Sequence, residues 1–577
     1  MKLTGAQIIL ESLIQQDATL IFGYPGGAIL PTYDALWDYR DRIKHVLVRH
    51  EENAALAADS YYRATGKVGV CMATSGPGAT NLVTGLANAM MDSSALVAIT
   101  GQVSSALVGS DAFQETDVTG VTLPVTKHNY LVTEVEDIAQ TIAEAFFVAR
   151  SGRPGPVLVD ICKDAQQKMC EYVPVTSVQL RGYMAIKPQA RQDAPRMLAQ
   201  AAQLISQAQR PVILAGQGIK HGNAHEEFRA FVDKSGIPVT TTLLGIGVLD
   251  EDHPQNLRMM GMHGEAYVNQ AIAGADLLIA LGMRFDDRVT GNLKTYAKNA
   301  KVIHFDIDPA EIDKNVPADV GVVGSVKDLL PPLTELIEKR SYPEWFKQIN
   351  LWRKDTKERD VLGSKLPDGM LLAPHVIRAI WEATGGNVTI CTDVGQHQMW
   401  ETQYFQHTRR NQLITSGGLG TMGFALPAAI GAKFGRPTDE VWAIAGDGGF
   451  QMSIPELATV VQEGLNIKIA VINNSFLGMV RQWQELMHEK RYSSTQMWSP
   501  DFVKLAQAYG ICGMRATNQA EAHEIIARAR EHDGPVLMEF RVESETNVFP
   551  MIQPGKSLDE MTRRQPAALG GGMDEVK

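Results

Sequence analysis

The sequence predicts an α/β protein made of three doubly wound parallel-sheet domains. Two observations carry that prediction. Short, continuous apolar runs alternate with amphipathic helical stretches along the chain, and two polar segments without strand pattern divide it into three blocks. Uninterrupted apolar runs between helices mark strands buried on both faces, as parallel strands are. The length of 577 residues agrees, since domains of roughly 150 residues would make three or four of them.

In chain order the runs are VGVCMAT at 68–74, ALVAITG at 95–101, PVLVDI at 156–161, PVILAG at 211–216, DLLIALG at 276–282, KVIHFDID at 301–308, VWAIAG at 441–446 and IKIAVINN at 467–474. The first divider, 174–195, is polar and contains prolines; the second, 341–370, is charged. The predicted domains are therefore 1–173, 190–340 and 370–550, followed by a polar C-terminal tail over 551–577. The first and third blocks share a strand, a glycine-rich turn and a helix, in CMATSGPGATN at 71–81 and AIAGDGGFQMS at 443–453. Either the fold is duplicated or the two blocks merely share a pairing that any α/β protein offers.

The formal charge of −11, without basic clusters, excludes a nucleic-acid binder, because phosphate contacts need Lys and Arg. The apolar runs fall well short of the roughly 20 residues of a membrane span. Leu3, Ile8, Ile9 and Leu13 recur at helical spacing, unlike a signal peptide. Five scattered cysteines with no CxxC suggest neither zinc nor a disulfide framework. A cytoplasmic protein without nucleic-acid or membrane partners is expected.

The strongest chemical signal is Gly446-Asp447-Gly448 at the end of one strand and Asn473-Asn474 at the end of the next. Ligands of open parallel sheets bind at the carboxyl ends of strands. An Asp carboxylate and an Asn amide oxygen side by side suit Mg²⁺, which takes few protein ligands and several phosphate oxygens. The glycines let the backbone approach a diphosphate near a helix start, placed by the sequence at Ser453. Gly418-Leu419-Gly420-Thr421-Met422-Gly423 matches GxGxxG, but Asp439 and Glu440 precede the next strand instead of ending it, so NAD binding is rejected. In RHEENAALAADSYYRATGK at 49–67, Ala54, Ala55, Ala57 and Ala58 form a closely packing helix with Glu51 at its start. A lone Glu there would ordinarily serve the helix dipole.

GDG followed by NN one βαβ unit later resembles the thiamine-diphosphate motif, and RHEENAALAADSYYRATGKVGVCMATSGPGATN resembles the pyrimidine-domain signature of those enzymes. GYPGGAILPTYDAL at 23–36, GSDAFQETDVTG at 109–120, SGRPGPVLVD at 151–160, GMHG at 261–264, RFDDRVTG at 284–291, FDIDPAEI at 305–312, DVGQHQMW at 393–400 and LGMVRQWQ at 477–484 narrow the resemblance to the biosynthetic acetohydroxyacid synthase family. It runs in order from about residue 3 to beyond 550.

The resemblance implies a pyrimidine-binding, a central FAD-associated and a diphosphate-binding domain. It implies decarboxylation of pyruvate on thiamine diphosphate and ligation of the hydroxyethyl group to pyruvate, giving 2-acetolactate, or to 2-oxobutyrate, giving 2-aceto-2-hydroxybutyrate. Glu51 would bond the cofactor's aminopyrimidine. Phe113 and Gln114 would line the site, Lys163 would stand near its entrance, Arg288 would hold the acceptor carboxylate, and Trp483 would pack on the larger acceptor's ethyl group. Thiamine diphosphate is implied against Pro25, Gly26, Glu51, Thr74, Pro77, Asn81 and Gln114 on one side. On the other it meets Val394, Gly395, Gln396, His397, Gly420, Met422, Gly446, Asp447, Gly448, Gly449, Asn474, Phe476, Leu477, Gly478 and Met479. Mg²⁺ is implied at Asp447, Asn474 and Phe476. FAD is implied at Arg153, Gly216, Gln217, Gly218, Gly261, Met262, His263, Gly264, Gly282, Arg284, Asp286, Arg288, Asp306, Ile307 and Asp319. The implied assembly is a homodimer or homotetramer in which Glu51 of one chain faces Asp447 and Asn474 of another, with a small regulatory subunit as a further partner. The alternative is another thiamine-diphosphate enzyme, a pyruvate oxidase or a 2-oxo acid decarboxylase.

Overall fold

Every predicted apolar run forms a strand. In the computed structural model, which describes residues 1–357, 362 and 369–563, these strands belong to three six-stranded parallel sheets. The N-terminal sheet holds β1 (Leu20–Gly23), β2 (Lys44–Leu47), β3 (Gly69–Ala73), β4 (Leu96–Gln102), β5 (His128–Val132) and β6 (Pro156–Cys162), in the order β2-β1-β3-β4-β6-β5. The central sheet holds β7 (Pro211–Ala215), β8 (Val239–Thr241), β9 (Asn256–Met259), β10 (Leu277–Leu281), β11 (Lys301–Asp306) and β12 (Val320–Val323), in the order β9-β8-β7-β10-β11-β12. The C-terminal sheet holds β13 (Thr389–Thr392), β14 (Leu413–Thr415), β15 (Val441–Gly446), β16 (Ile467–Asn473), β17 (Cys512–Ala516) and β18 (Val536–Arg541), in the order β14-β13-β15-β16-β18-β17.

The first and third sheets have the same strand order, which favours duplication over chance pairing. The central sheet differs. Its order, counted within the domain, is 3-2-1-4-5-6, the arrangement of dinucleotide-binding folds, whose ligands lie where the order reverses. That point falls between β7 and β10, which pair in register from Leu277 opposite Pro211 to Leu281 opposite Ala215.

The two outer domains pack through α1 (Glu51–Thr65) and α2 (Ala425–Gly435). His50 caps α1 by accepting from Glu52 N, and Glu51 and Glu52 complement the dipole of its first turn. Gly66, in the left-handed conformation at φ 77°, ends it and donates from its N–H to Tyr62 O. The buried alanines 54, 55, 57 and 58 let α2 come close: a Cβ on Gly431 would lie 2.0 Å from Ala57 O. Ser60 Oγ then donates to Ala428 O at 2.6 Å.

Two segments depart from expectation. The charged divider after residue 341 contains the helix Pro343–Lys357, and buried Trp345 and Ile349 join the central core. Residues 551–563, expected as a polar tail, fold onto the central domain. Met551, Ile552, Leu558 and Met561 are buried there, and Met551 and Thr562 pair as an antiparallel bridge. Four apolar residues spaced among polar ones escape a composition-based reading but suffice to dock a short segment. Residues 564–577 of the expected tail lie outside the described residues. Among the described residues no helix is long and apolar enough to cross a membrane.

Candidate active site

Two contiguous cavities lie at the carboxyl edge of the C-terminal sheet and the switch point of the central one. The smaller, of about 60 Å³, is walled by Val394, Gly395, Gln396, His397, Met422, Gly446, Asp447, Gly448, Gly449, Asn474, Phe476, Leu477, Gly478 and Met479. Asp447 opens α3 (Asp447–Ser453) directly after β15, so the helix starts at the Asp, six residues earlier than the sequence suggests, and Ser453 is its end. The extended Gly446 lets the strand turn straight into the helix. Asp447 is buried and its Oδ2 accepts from Ser499 Oγ at 3.0 Å, while its Oδ1 has no hydrogen-bond partner. Burial, offset in part by Ser499, pushes the carboxyl up to about 6. Asn474 donates from Nδ2 to Gln396 Oε1 at 3.4 Å and accepts at Oδ1 from Phe476 N at 3.1 Å.

An unpaired carboxylate oxygen in a buried cleft beside an amide oxygen is the donor set a small hard cation takes. Among the described residues no cluster of three or more His, Cys, Asp and Glu competes with it. Phe476 lines the cleft beside them. The cleft is also shaped for close approach: a Cβ on Gly448 would meet Leu477 at 2.8 Å, and one on Gly446 would meet His397 at 3.0 Å. His397 Nε2 accepts from Gly446 N at 3.2 Å, and burial pushes the imidazole down to about 4, so it stays neutral beside the site.

The larger cavity, of about 970 Å³, shares Val394, Gly395, Met422 and Met479 with the smaller and extends along the central domain. Arg153, Gln217, Gly218, Met262, His263, Gly282, Arg284, Asp286, Arg288, Asp306 and Ile307 line it, with Gly420 and Trp483 at the junction. Gly216 lies behind the wall, where a Cβ would be 2.2 Å from Gly282 O. Gly261 and Gly264 shape the turn that carries Met262 and His263. Met262 N donates to Arg288 O at 2.7 Å, and a Cβ on Gly261 would sit 2.4 Å from that same oxygen. Asp319 is elsewhere: it precedes β12 at the amino edge of the sheet, where its Oδ2 accepts from Val302 N at 2.8 Å. Ligands gather at the opposite edge, so this carboxylate ties strands together.

Arg288 and Trp483 come from different domains and meet, the guanidinium carbon standing 5.6 Å from the indole centroid. Asp286 caps the single helical turn Asp287–Thr290 through Arg288 N and Val289 N, and Asp287 pairs with Arg288 Nη1 at 3.2 Å. Arg288 remains about half exposed, so its fork is available to a ligand carboxylate. The GxGxxG segment is a packed turn: Gly417 N and Gly418 N donate to the Asp92 carboxylate, and Gly423 N to Asp393.

The N-terminal residues form a separate cluster. Asn81 Nδ2 donates to Glu51 Oε2 at 3.0 Å, and a Cβ on Gly78 would be 3.3 Å from Glu51 Oε1 and 2.8 Å from the Thr74 methyl. Pro25 and Gly26 follow β1, with Gly26 packed on Thr74. Gln114 holds φ 60° and its backbone packs on Gly76, next to Pro77, while Phe113 is 89% exposed. Lys163 begins the short helix after β6. All stand at the carboxyl edge of the N-terminal sheet. Among the N-terminal residues that line the large cavity, Gly66, Ser93 and Arg153 precede β3, β4 and β6, at its amino edge. A strand's length separates them, about 17–23 Å for five to seven residues. Among the described residues, no hydrogen bond or shared cavity wall joins Glu51 to Asp447.

The sequence reading missed several residues. Buried Asp393 accepts from Val394 N at 2.7 Å and Gly423 N at 2.9 Å and anchors the turn before α2. Gly324 and Ser325 follow β12 and line the large cavity, and buried Glu311 pairs with Arg153 at 2.9 Å. The strand-end rule finds Asp393 and Ser325 once β12 and β13, which carry weak apolar runs, are recognised as strands.

Three family models match the chain: thiamine pyrophosphate enzyme N-terminal TPP binding domain over residues 3–121, central domain over 198–333 and C-terminal TPP binding domain over 393–540. The acetolactate synthase large subunit of Mycobacterium tuberculosis is 48% identical over 573 residues, 97% of this chain and 91% of the relative. That of Corynebacterium glutamicum is 48% identical over 569 residues, 96% of this chain and 89% of its own. The acetolactate synthase isozyme 2 large subunit of Escherichia coli is 45% identical over 567 residues, 97% of this chain and 100% of its own.

Proposed function

The chain belongs to the acetolactate synthase large subunits, within the thiamine pyrophosphate enzymes, and from that premise we propose how its residues divide the work of a 2-oxo acid carboligase at the first common step of branched-chain amino acid biosynthesis. The observation that carries the reading is the unpaired Asp447 Oδ1 in a cleft continuous with the Arg288–Trp483 junction. One end anchors a cation and a diphosphate; the other recognises a second oxo acid.

When bound, thiamine diphosphate supplies the electron sink that decarboxylation of pyruvate requires. The chain's residues hold, orient and exclude water. Asp447 Oδ1, Asn474 Oδ1 and the Phe476 carbonyl would hold Mg²⁺, which would neutralise the charge of the diphosphate. Met422 and Met479 form the apolar wall between the two cavities. Arg288 takes the acceptor carboxylate and Trp483 covers its alkyl group, giving acetolactate with pyruvate and acetohydroxybutyrate with 2-oxobutyrate. Glu51, steadied by Asn81, would hold a proton for the aminopyrimidine of a cofactor bound across a subunit boundary, which makes the working unit a homodimer or a tetramer of such pairs. The central cleft fits FAD through its strand order, the close-packed Gly216, Gly218 and Gly282, and Arg153 over the switch point. The relatives' designation as large subunits supports a small regulatory partner. All five cysteines are free thiols, which supports a cytoplasmic setting.

The test supplies pyruvate and 2-oxobutyrate in competition, with both cofactors and Mg²⁺. Acetolactate and acetohydroxybutyrate are the expected products; acetaldehyde or acetyl phosphate would replace this reading with a decarboxylase or an oxidase.

A further inference from the structure

Gln482 neighbours Trp483 on α4 (Gly478–Met487), is fully buried, and uses both ends of its amide. Its Oε1 accepts from Val548 N at 2.8 Å and from Gln396 Nε2 at 2.8 Å. Its Nε2 donates to Val548 O at 3.0 Å and lies 3.3 Å from Met551 Sδ. Gln396 Nε2 also donates to Thr546 O at 3.0 Å, and its Oε1 accepts from Asn474 Nδ2.

An amide side chain has two orientations, with oxygen and nitrogen exchanged. Val548 offers a main-chain donor and a main-chain acceptor that cannot exchange, so only one orientation of Gln482 satisfies both. That orientation turns the Gln482 oxygen toward Gln396, which must answer with its NH₂ and therefore presents its own oxygen to Asn474. Asn474 answers with NH₂ in turn. Its Oδ1 is left facing away from Gln396, as a cation ligand requires. Gly478 supplies a second, independent sign that this path is built: a Cβ there would lie 2.2 Å from Gln396 Oε1 and 2.7 Å from Asn474 Nδ2. Only a glycine leaves room for that bond.

We propose that Gln482 is a positioning residue whose amide, fixed by the Val548 backbone, joins Thr546 O in setting the polarity of a Gln482–Gln396–Asn474 relay and so holds Asn474 Oδ1 ready for the cation. The proposal rests on the reading of Asp447 and Asn474 as the Mg²⁺ ligands. The relay also joins the two ends of the site, because the segment that orients Gln482 continues to Ile552, whose N–H donates to Met262 O beside Arg288 at 2.9 Å.

The experiment titrates Mg²⁺ into the full-length protein supplied with thiamine diphosphate, following the dissociation constant by the shift in melting temperature and by tryptophan fluorescence. Gln482→Met removes one of the two acceptors that orient the Gln396 amide and leaves Thr546 O alone to hold it; Gln482→Glu keeps oxygens for Val548 N and Gln396 Nε2. Both variants lose the donor to Val548 O, so both should melt lower without metal. Only Gln482→Met should weaken Mg²⁺, by about tenfold or more, with Gln482→Glu within about threefold of the wild type. Equal weakening in both variants, or none in Gln482→Met, overturns the relay and leaves Gln482 as core packing. If Gln482→Met does not fold, Gly478→Ala reads the same link without touching Gln482, and unchanged Mg²⁺ affinity there overturns it too. Asp447→Ala separates the two levels: its normal Mg²⁺ affinity would remove the cation site itself, whereas its loss of affinity beside a normal Gln482→Met would remove the relay alone.

Discussion

At the scale of single residues, the site depends on which polar atoms remain unpaired. Asp447 Oδ1 and Trp483 Nε1 are both buried without partners, yet they imply different things. An unpaired carboxylate oxygen calls for a cation, whereas an indole surrounded by apolar neighbours works as a surface. Trp483→Leu therefore removes packing and no hydrogen bond, and it frees Arg288 from the ring it stacks on. One methylene of discrimination is worth roughly 1–3 kcal/mol, so the preference for 2-oxobutyrate over pyruvate should fall about tenfold. The ratio of acetohydroxybutyrate to acetolactate at equal acceptor concentrations measures it. An unchanged ratio would make Trp483 part of the core and nothing more.

At the scale of elements, close packing and buried charge set the tolerances. Gly431→Ala would drive a methyl into Ala57 O, 2.0 Å away and part of a helix backbone that cannot yield locally. The two helices must separate, at a cost of about 1–3 kcal/mol, which denaturant unfolding should register as a lower midpoint. A midpoint equal to the wild type would mean that α1 and α2 slide freely. The helix Gln396–Tyr404 carries Glu401, whose carboxylate stands 3.1 Å from His407 Nε2 with both side chains fully buried. Burial lowers the imidazole, but the Glu401 charge outweighs it, and the folded value lies above the ordinary 6.5. The stabilisation is therefore fully present below pH 6.5 and is lost as pH rises through the folded value. His407→Phe should lower the melting temperature most near pH 6, and the gap from wild type should narrow toward pH 9. A gap independent of pH would show an uncharged pair.

At the scale of the whole molecule, the decisive feature is that the Glu51–Asn81 cluster and the N-terminal residues lining the large cavity stand at opposite edges of the N-terminal sheet. On the proposed function, a second copy of the chain completes each site. Glu51→Gln and Asp447→Ala should each be nearly inactive alone, yet mixed subunits regenerate one intact site in every hybrid pair. Half the pairs are hybrids after random exchange, so activity should return to about a quarter of the wild-type level. Size-exclusion profiles and the rate of acetolactate formation after co-refolding check it. No recovery in demonstrably mixed dimers would require Glu51 and Asp447 to act within one chain.

The sequence by itself determined the fold class, the strand runs and the place of Gly446-Asp447-Gly448 and Asn473-Asn474 at the ends of neighbouring strands, because strand periodicity is a local property of residue type. It also specified the small-residue face of α1, legible as four alanines that only a close neighbour would need. Tertiary structure decided the rest. The docking of residues 551–563 depends on four apolar side chains finding a core contributed by residues some 200 to 300 positions earlier. Asp319 and Asp393 look alike in sequence, each an Asp beside a strand, but one lies at an amino edge and the other at a carboxyl edge, and only the latter anchors turns that wall the cleft. The meeting of Arg288 with Trp483, and the separation of Glu51 from Asp447, follow from how three sheets are turned against one another. Non-local packing fixes that orientation, and no window of sequence contains it.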